Sequence, residues 1–164
     1  KRKLIRLLLK IGVILLILYF IFNYLICIFY LRGNYMFPAM KDGDLVIATK
    51  LELISSNDTV VYEQDDTKRI GRVVAFGGDT VSFCDSGELI VNGNVITEEV
   101  FYPTMQDDSS NITYPYTVPE DTMFILNDYR TGTNESFNDS RKYDAIDTKQ
   151  VKGKIILLVR RRGF

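Results

Sequence analysis

The chain has 164 residues, 46% of them apolar and 25% charged, with 20 Lys and Arg against 21 Asp and Glu and no His. That length suits one domain of ordinary size beside a membrane segment. The balanced charge lacks the basic surface that a nucleic-acid partner demands, and the missing His removes Ser-His and Cys-His catalysis and the usual metal hydrolases.

Residues 1–10, KRKLIRLLLK, carry five cations (Lys1, Arg2, Lys3, Arg6 and Lys10) and no acid. Ile11 to Leu31 then run without a charge, broken only by Gly12 and Asn23. A helix of about 21 residues at ~1.5 Å per residue covers roughly 30 Å, the thickness of a bilayer core. A secretory signal peptide has a shorter apolar core, about 7–15 residues, and a small-x-small cleavage site. Arg32-Gly33-Asn34 follows here instead. The expectation is a cytoplasmic basic segment at 1–10, a retained transmembrane anchor at 11–31 and an extracytoplasmic domain at 32–164, with the basic end inside. Asn23 marks either a helix–helix contact or one tolerated amide.

Five of the cations lie in residues 1–10, which leaves 15 Lys and Arg against all 21 acids beyond the anchor. This acidity again argues against nucleic acid. Cys27 in the span and Cys84 in the exported part are too far apart to pair, so Cys84 reads as a small buried hydrophobe in a strand. An exported chain without a disulfide framework points to a Gram-positive source.

Beyond the anchor stands Gly33-Asn34-Tyr35-Met36-Phe37-Pro38-Ala39-Met40-Lys41-Asp42-Gly43-Asp44-Leu45-Val46-Ile47. From Asp44 onward the text is strand-like. Leu45–Thr49 and Thr59–Tyr62 are β-branched and apolar, separated by a polar turn at Ser55–Asp58. Gly71–Phe76 and Thr80–Phe83 flank a Gly77-Gly78-Asp79 turn. Glu88–Val91 and Val95–Ile96 flank Asn92-Gly93-Asn94, the strongest short hairpin signal in the chain. About 98–119 has Pro103, Pro115 and an Asp107–Asn111 polar run, and reads as a surface excursion. Thr122–Leu126 and Ile155–Val159 read as buried strands. No long 3.6-period segment follows the anchor. The expected fold is mostly β: antiparallel strands curling into a small barrel or folded sheet behind one membrane helix.

Five stretches resemble, in order, the motifs of type I signal peptidases. Gly33, Met36, Pro38, Met40, Gly43, Asp44 and Val46 match that family's nucleophile segment in register. Asn57–Tyr62 is similar to its Gly-Asp-x-Val-Val-Phe, and Gly71–Val81 to its Lys-Arg-Val-(Ile/Val)-Gly-x-Pro-Gly-Asp-x-Val. Leu89–Gly93 resembles its Leu-x-Val-Asn-Gly hairpin. Val118-Pro119 through Asn127-Asp128-Tyr129-Arg130 resembles the stretch ending Gly-Asp-Asn-Arg, and Asp139-Ser140-Arg141 with Gly153-Lys154 its last motifs. Together these cover nearly the whole chain.

The departures fall on the chemistry that the resemblance implies. The family cleaves a peptide bond with a Ser nucleophile and a neutral Lys base, which requires a hydroxyl on a short stem and a desolvated amine. At the Ser position is Tyr35, and at the Lys position is Gly71. Lys68 does not substitute: it stands ten residues before Gly78 where the family's Lys stands seven, a displacement of about 10 Å onto the opposite face. Cys84 lacks a base, Ser55 and Ser56 sit in a turn, and no motif marks an aspartic dyad or a metal. About four extra residues between Arg130 and Asp139 leave Ser136 without a fixed counterpart, and Asp144 stands where a groove-lining Gly is expected. Asp128, Arg130, Asp139 and Arg141 persist as structural ion pairs.

The resemblance therefore implies a non-catalytic member without cofactor, similar to accessory proteins or chaperones of Gram-positive pilus loci. Its expected partners are an exported polypeptide such as pilin, a sortase and membrane lipid. The alternatives are an active signal peptidase with unconventional residues and an inert regulatory partner of an active one. The expected peptide-binding groove comprises Tyr35, Met36, Phe37, Pro38, Gly71, Arg72, Val73 and Asp144. Tyr35 is either a plug filling a void over Gly71 or an aromatic platform. Met36–Pro38 either rests on the membrane or packs the core. The ending Arg160–Phe164 either meets anionic lipid or an acidic partner, or is a solvated tail.

Overall fold

A computed structural model describes residues 2–96, 103–104, 112–131 and 138–160. The apolar run does not stay helical to its end. Helix α1 (Arg2–Phe20) passes through a π-helical turn at Ile21–Leu25, and the chain then extends into β1 (Ile26–Tyr30). Arg2–Leu25, 24 residues whose apolar stretch of 18 reaches a mean hydropathy of 2.6, is a helix long and apolar enough to cross a membrane. The helix thus begins before residue 11 and gives way to a strand before residue 31. The basic residues from Arg2 belong to the helix, and Ile26–Tyr30 belongs to the β domain. β-Branched and aromatic side chains at Ile26, Ile28, Phe29 and Tyr30 suit a pleated surface, and β2 (Leu45–Thr49) supplies an antiparallel partner, with Cys27 opposite Ala48. Cys27 is thus a strand residue. Asn23 donates its own amide to the Tyr19 carbonyl at 2.9 Å, so it needs no second helix.

The remaining elements are β3 (Thr59–Gln64), β4 (Thr67–Phe76), β5 (Thr80–Phe83), β6 (Leu89–Val91), β7 (Asn94–Val95), β8 (Tyr116–Thr117), β9 (Thr122–Leu126), α2 (Ser140–Tyr143), β10 (Ile146–Asp147), a 3₁₀ turn at Thr148–Gln150 and β11 (Val151–Val159). They form a seven-stranded sheet, β1-β2-β11-β3-β4-β9-β10, and a four-stranded sheet, β7-β6-β5-β8. Every pairing is antiparallel. Of the two expected forms, the folded open sheet is the one observed.

Three apolar clusters hold the sheets. Val74, Ala75, Phe124 and Leu126 meet Val81, Phe83 and Leu89 between the two sheets. Met36, Met40, Val46, Ala48, Val61 and Ile70 fill the hollow closed by the 31–40 segment. Val60, Tyr62, Val73, Met123, Ile125 and Ile146 pack the other face of β3 and β4. Val60 and Val61 serve opposite faces, which explains the unbroken apolar run of β3. The β6–β7 hairpin turns on Asn92 (φ 52°) and Gly93 (φ 78°), the paired positive φ values of a type I′ turn.

Two expectations about the later chain change. Ile112, Tyr114 and Tyr116 pack against the inter-sheet core, so the end of the 98–119 excursion is structural; 97–102 and 105–111 lie outside the described residues. Cys84 lies just beyond β5, half-buried, with its thiol 2.9 Å from Ser86 Oγ and 3.3 Å from a Glu88 carboxylate oxygen. It is no buried hydrophobe. On the outer face of the large sheet, Ile28–Ile47–Leu157 and Tyr30–Leu45–Val159 form two adjacent cross-strand rows of apolar side chains. Ile28, Tyr30, Leu157 and Val159 are each about half exposed.

Candidate functional site

The 32–44 segment is held by its own short bonds. The Gly33 N–H donates to Asp42 Oδ1 at 2.6 Å, Asp42 N–H to Asn34 Oδ1 at 3.1 Å, and Met40 N–H to the Met36 carbonyl at 2.8 Å. Gly33 has φ +88°, and a Cβ there would lie 2.6 Å from Cε2 of the Tyr35 ring. Glycine is required on both counts, because it allows the left-handed turn and lets the ring lie flat against the backbone. The Tyr35 carbonyl accepts from Tyr129 N–H at 2.9 Å, which ties this turn to the end of β9.

Tyr35 lines a groove of about 520 Å³ between β1 and β4, together with Ile28–Arg32, Asp66–Ile70, Asn127 and Asn138. Among the described residues the groove lies between two strand edges without a ladder partner: β1 ends its sheet, and β4 pairs with β9 from Arg72 onward, leaving Thr67–Ile70 paired with β3 alone.

The other residues expected in the groove lie elsewhere. Met36 is fully buried beneath it, while half-buried Phe37 carries the Lys41 ammonium 5.6 Å from its ring centre and joins Pro38 through a cis peptide. Met36 and Met40 therefore take the core alternative. Gly71 does not line the groove. A Cβ there would collide with Ile125 Cγ2 and stand 3.3 Å from the Leu126 carbonyl and 3.4 Å from Tyr62 Cε1. The expected void does not exist, because Tyr62 and Ile125 occupy the space. Lys68, set aside on spacing, lines the groove that Gly71 does not; it is exposed, without the burial that keeps a general-base amine neutral. Val73 is buried in the Tyr62 cluster. Arg72 grips Asp128 through two bonds, Nε–Oδ1 at 2.8 Å and Nη2–Oδ2 at 2.7 Å, and also donates to the Asn57 carbonyl. Asp144 ends α2 at φ +71°, the conformation for which the resemblance expects Gly; its carboxylate accepts from Ala145 N–H and the Tyr116 hydroxyl on the far sheet.

The persistent ionic residues form the floor. Asp139 is buried and accepts from Arg141 Nη2 at 2.7 Å, Arg141 Nε at 3.0 Å and Asn127 N–H at 2.9 Å. Arg130, also buried, donates to the Asn127 carbonyl at 2.8 Å and to Thr104 Oγ1 at 3.4 Å. Ser136 lies outside the described residues, as do 161–164 of the expected ending; Arg160 reaches the Ala39 carbonyl at 3.5 Å.

Tyr62 donates to the Asn138 carbonyl at 2.8 Å. Burial, reinforced by the Asp139 carboxylate, pushes its phenol far above the ordinary tyrosine value, and burial likewise raises Tyr114. Burial and then the Asp144 hydrogen bond push Tyr116 up to about 12. These groups stay protonated in the fold while unfolded tyrosine ionises near pH 10. Their contribution is therefore complete below about pH 10 and is lost as pH rises through the folded values. Urea unfolding at pH 8 and pH 11 should show that loss. Tyr62→Phe should lower stability by about 1 kcal/mol at pH 8 and flatten the alkaline decline.

Arg32, Arg69, Asn127 and Asn138 were not among the expected site residues. The signal for Asn127 was visible, since it stands where the resembled motif has Gly before Asp128.

Fold and motif order together define a signal-peptidase-type domain. The chain belongs to the signal peptidase, peptidase S26, family, whose model matches residues 4–159. A crystal structure of a signal peptidase I from Enterococcus faecalis V583 shares the fold at a TM-score of 0.55 and 20% identity, over 65% of this chain and 100% of that one. Among curated proteins none matches.

Proposed function

We propose that this chain is a non-catalytic, signal-peptidase-like membrane protein that binds an exported polypeptide in extended form and assists pilus assembly, where pilin is joined by sortase. The observation that carries this reading is Tyr35 and Gly71 at the positions of the family's Ser and Lys, beside a groove with two free strand edges. Free edges bind extended chains by donating and accepting main-chain hydrogen bonds. The basic residues before the apolar run support a cytoplasmic N-terminus and an external domain. Membrane lipid is the second partner, supported by the membrane-length helix and by the exposed apolar rows beside it.

Protease added to intact protoplasts should remove the domain and spare a fragment close to residues 1–25; full protection overturns the topology. The purified protein should leave an Ala-x-Ala preprotein peptide intact and capture a pilin subunit. Tyr35 lies along the groove wall with its ring over Gly33, so it acts as a platform, and Tyr35→Ala should weaken capture about threefold to tenfold. Efficient cleavage, lost in Tyr35→Ala, establishes the enzyme reading instead. Capture unaffected by Tyr35→Ala but abolished by deletion of 105–112 moves the binding surface out of the groove.

A further inference from the structure

We infer that Asn127 and Arg69 form a polar clamp in the groove that takes the main chain of an extended polypeptide beside an acidic side chain. This deepens the polypeptide-binding reading and rests on it. Asn127 follows β9 with its backbone fixed at both ends, its N–H donating to Asp139 and its carbonyl accepting from Arg130. The residue is 1% exposed, yet among the described residues neither Nδ2 nor Oδ1 of its carboxamide has a partner. Arg69 Nε is also buried without one. Both residues line the same groove. Buried polar atoms are nearly always paired, and an orphaned one is a standing penalty. Three of them on two residues facing one groove point to an occupant that supplies the missing bonds.

The chemistry of the gap describes that occupant. A carboxamide presents a donor and an acceptor side by side, the complement of the C=O and N–H of a peptide group. The free edges of β1 and of Thr67–Ile70 offer further main-chain donors and acceptors to a strand lying between them. Charge selects the side chain. Arg32, Lys68 and Arg69 line the groove against Asp66 alone among its acids, an excess of cations in a domain that is otherwise acidic. The Arg69 guanidinium is oriented by the Asn138 carboxamide oxygen and by the Tyr143 ring, 4.8 Å away. Its buried Nε–H therefore awaits an acceptor in a fixed direction, and a carboxylate is the strongest available.

The test uses the full chain in detergent and two fluorescent peptides, Thr-Val-Thr-Val-Glu-Val-Thr-Val-Thr and its central Gln counterpart, with affinity read by anisotropy. The Glu peptide should bind about tenfold tighter than the Gln peptide, and Arg69→Gln should remove that preference. Asn127→Leu keeps the branched shape and heavy-atom count of the side chain and removes the orphaned atoms. It should bind both peptides about tenfold more weakly while its melting temperature holds or rises. If the wild-type chain binds neither peptide, the polypeptide-binding reading fails and takes this inference with it. Wild-type binding that Asn127→Leu leaves unchanged overturns the clamp alone. A marked fall in melting temperature of Asn127→Leu also overturns it, because the carboxamide would then have an internal partner. Equal binding of Glu and Gln peptides overturns the acidic preference.

Discussion

Asp139→Ala is expected to lower the unfolding free energy of the β domain by about 3–5 kcal/mol. Asp139 and Arg141 are fully buried, and the carboxylate neutralises the guanidinium through two bonds while capping α2 at the Arg141 N–H. Truncation takes two charge-assisted bonds from a buried guanidinium, and it frees the Asn127 N–H that anchors one side of the groove. A domain of this size holds only about 5–15 kcal/mol in total, so the loss should be visible as weak expression and early urea unfolding. Adding Arg141→Met should recover part of it, since removing both members of a buried ion pair costs less than removing one. A midpoint for Asp139→Ala within experimental error of wild type would show that the pair is not a stabilising element.

Gly71→Lys, the substitution that would recreate the family's base, is expected to damage the fold instead of restoring chemistry. Its Cβ would collide with Ile125 Cγ2, a methyl held by the stiff branched Cβ of a buried side chain, and crowd the Tyr62 ring and the Leu126 carbonyl. Overpacking alone costs about 1–3 kcal/mol, and an ammonium driven into the Val60–Tyr62–Ile125 cluster adds the desolvation of an unpaired charge. The double variant Tyr35→Ser, Gly71→Lys should therefore unfold early and cleave nothing. Lys68 already faces the groove, so Tyr35→Ser alone is the informative comparison for turnover. Preprotein cleavage by the double variant at wild-type stability would place position 71 in the groove after all.

Local pattern carried much of the fold. Leu45–Thr49 and Thr80–Phe83 were legible to the residue, because polar turns bound each short β-branched run and the Gly77–Asp79 turn sets the next register. β1 was not legible. Its five residues continue an apolar run long enough for a membrane helix, and what makes them a strand is the edge of β2, whose paired residues lie fifteen or more positions away in sequence. Tyr35 was readable as a groove residue from the motif that contains it. Gly71 was misplaced because alternation along β4 states which residues share a face, not which face is wet. Ile125 and Tyr62, on neighbouring strands, decide that. Asp144 was misread similarly, since its positive φ marks a helix end and not a substrate contact.

The junction at Leu25–Ile26 has one further consequence. β1 starts at the residue after a membrane-length helix, with no loop between them, and Ile28–Tyr30 of that strand with Leu31 and Arg32 just beyond it form a groove wall. In a bilayer such a wall has no slack with which to wander. The groove is leashed at a fixed height, and a ligand free in solution must find it by three-dimensional diffusion. A ligand anchored in the same leaflet searches a plane at high effective concentration, so even a weak clamp becomes well occupied. Selectivity then comes as much from where a chain is tethered as from what its residues are. On the polypeptide-binding proposal, the stretch such a groove would capture is the one just outside a partner's own anchor.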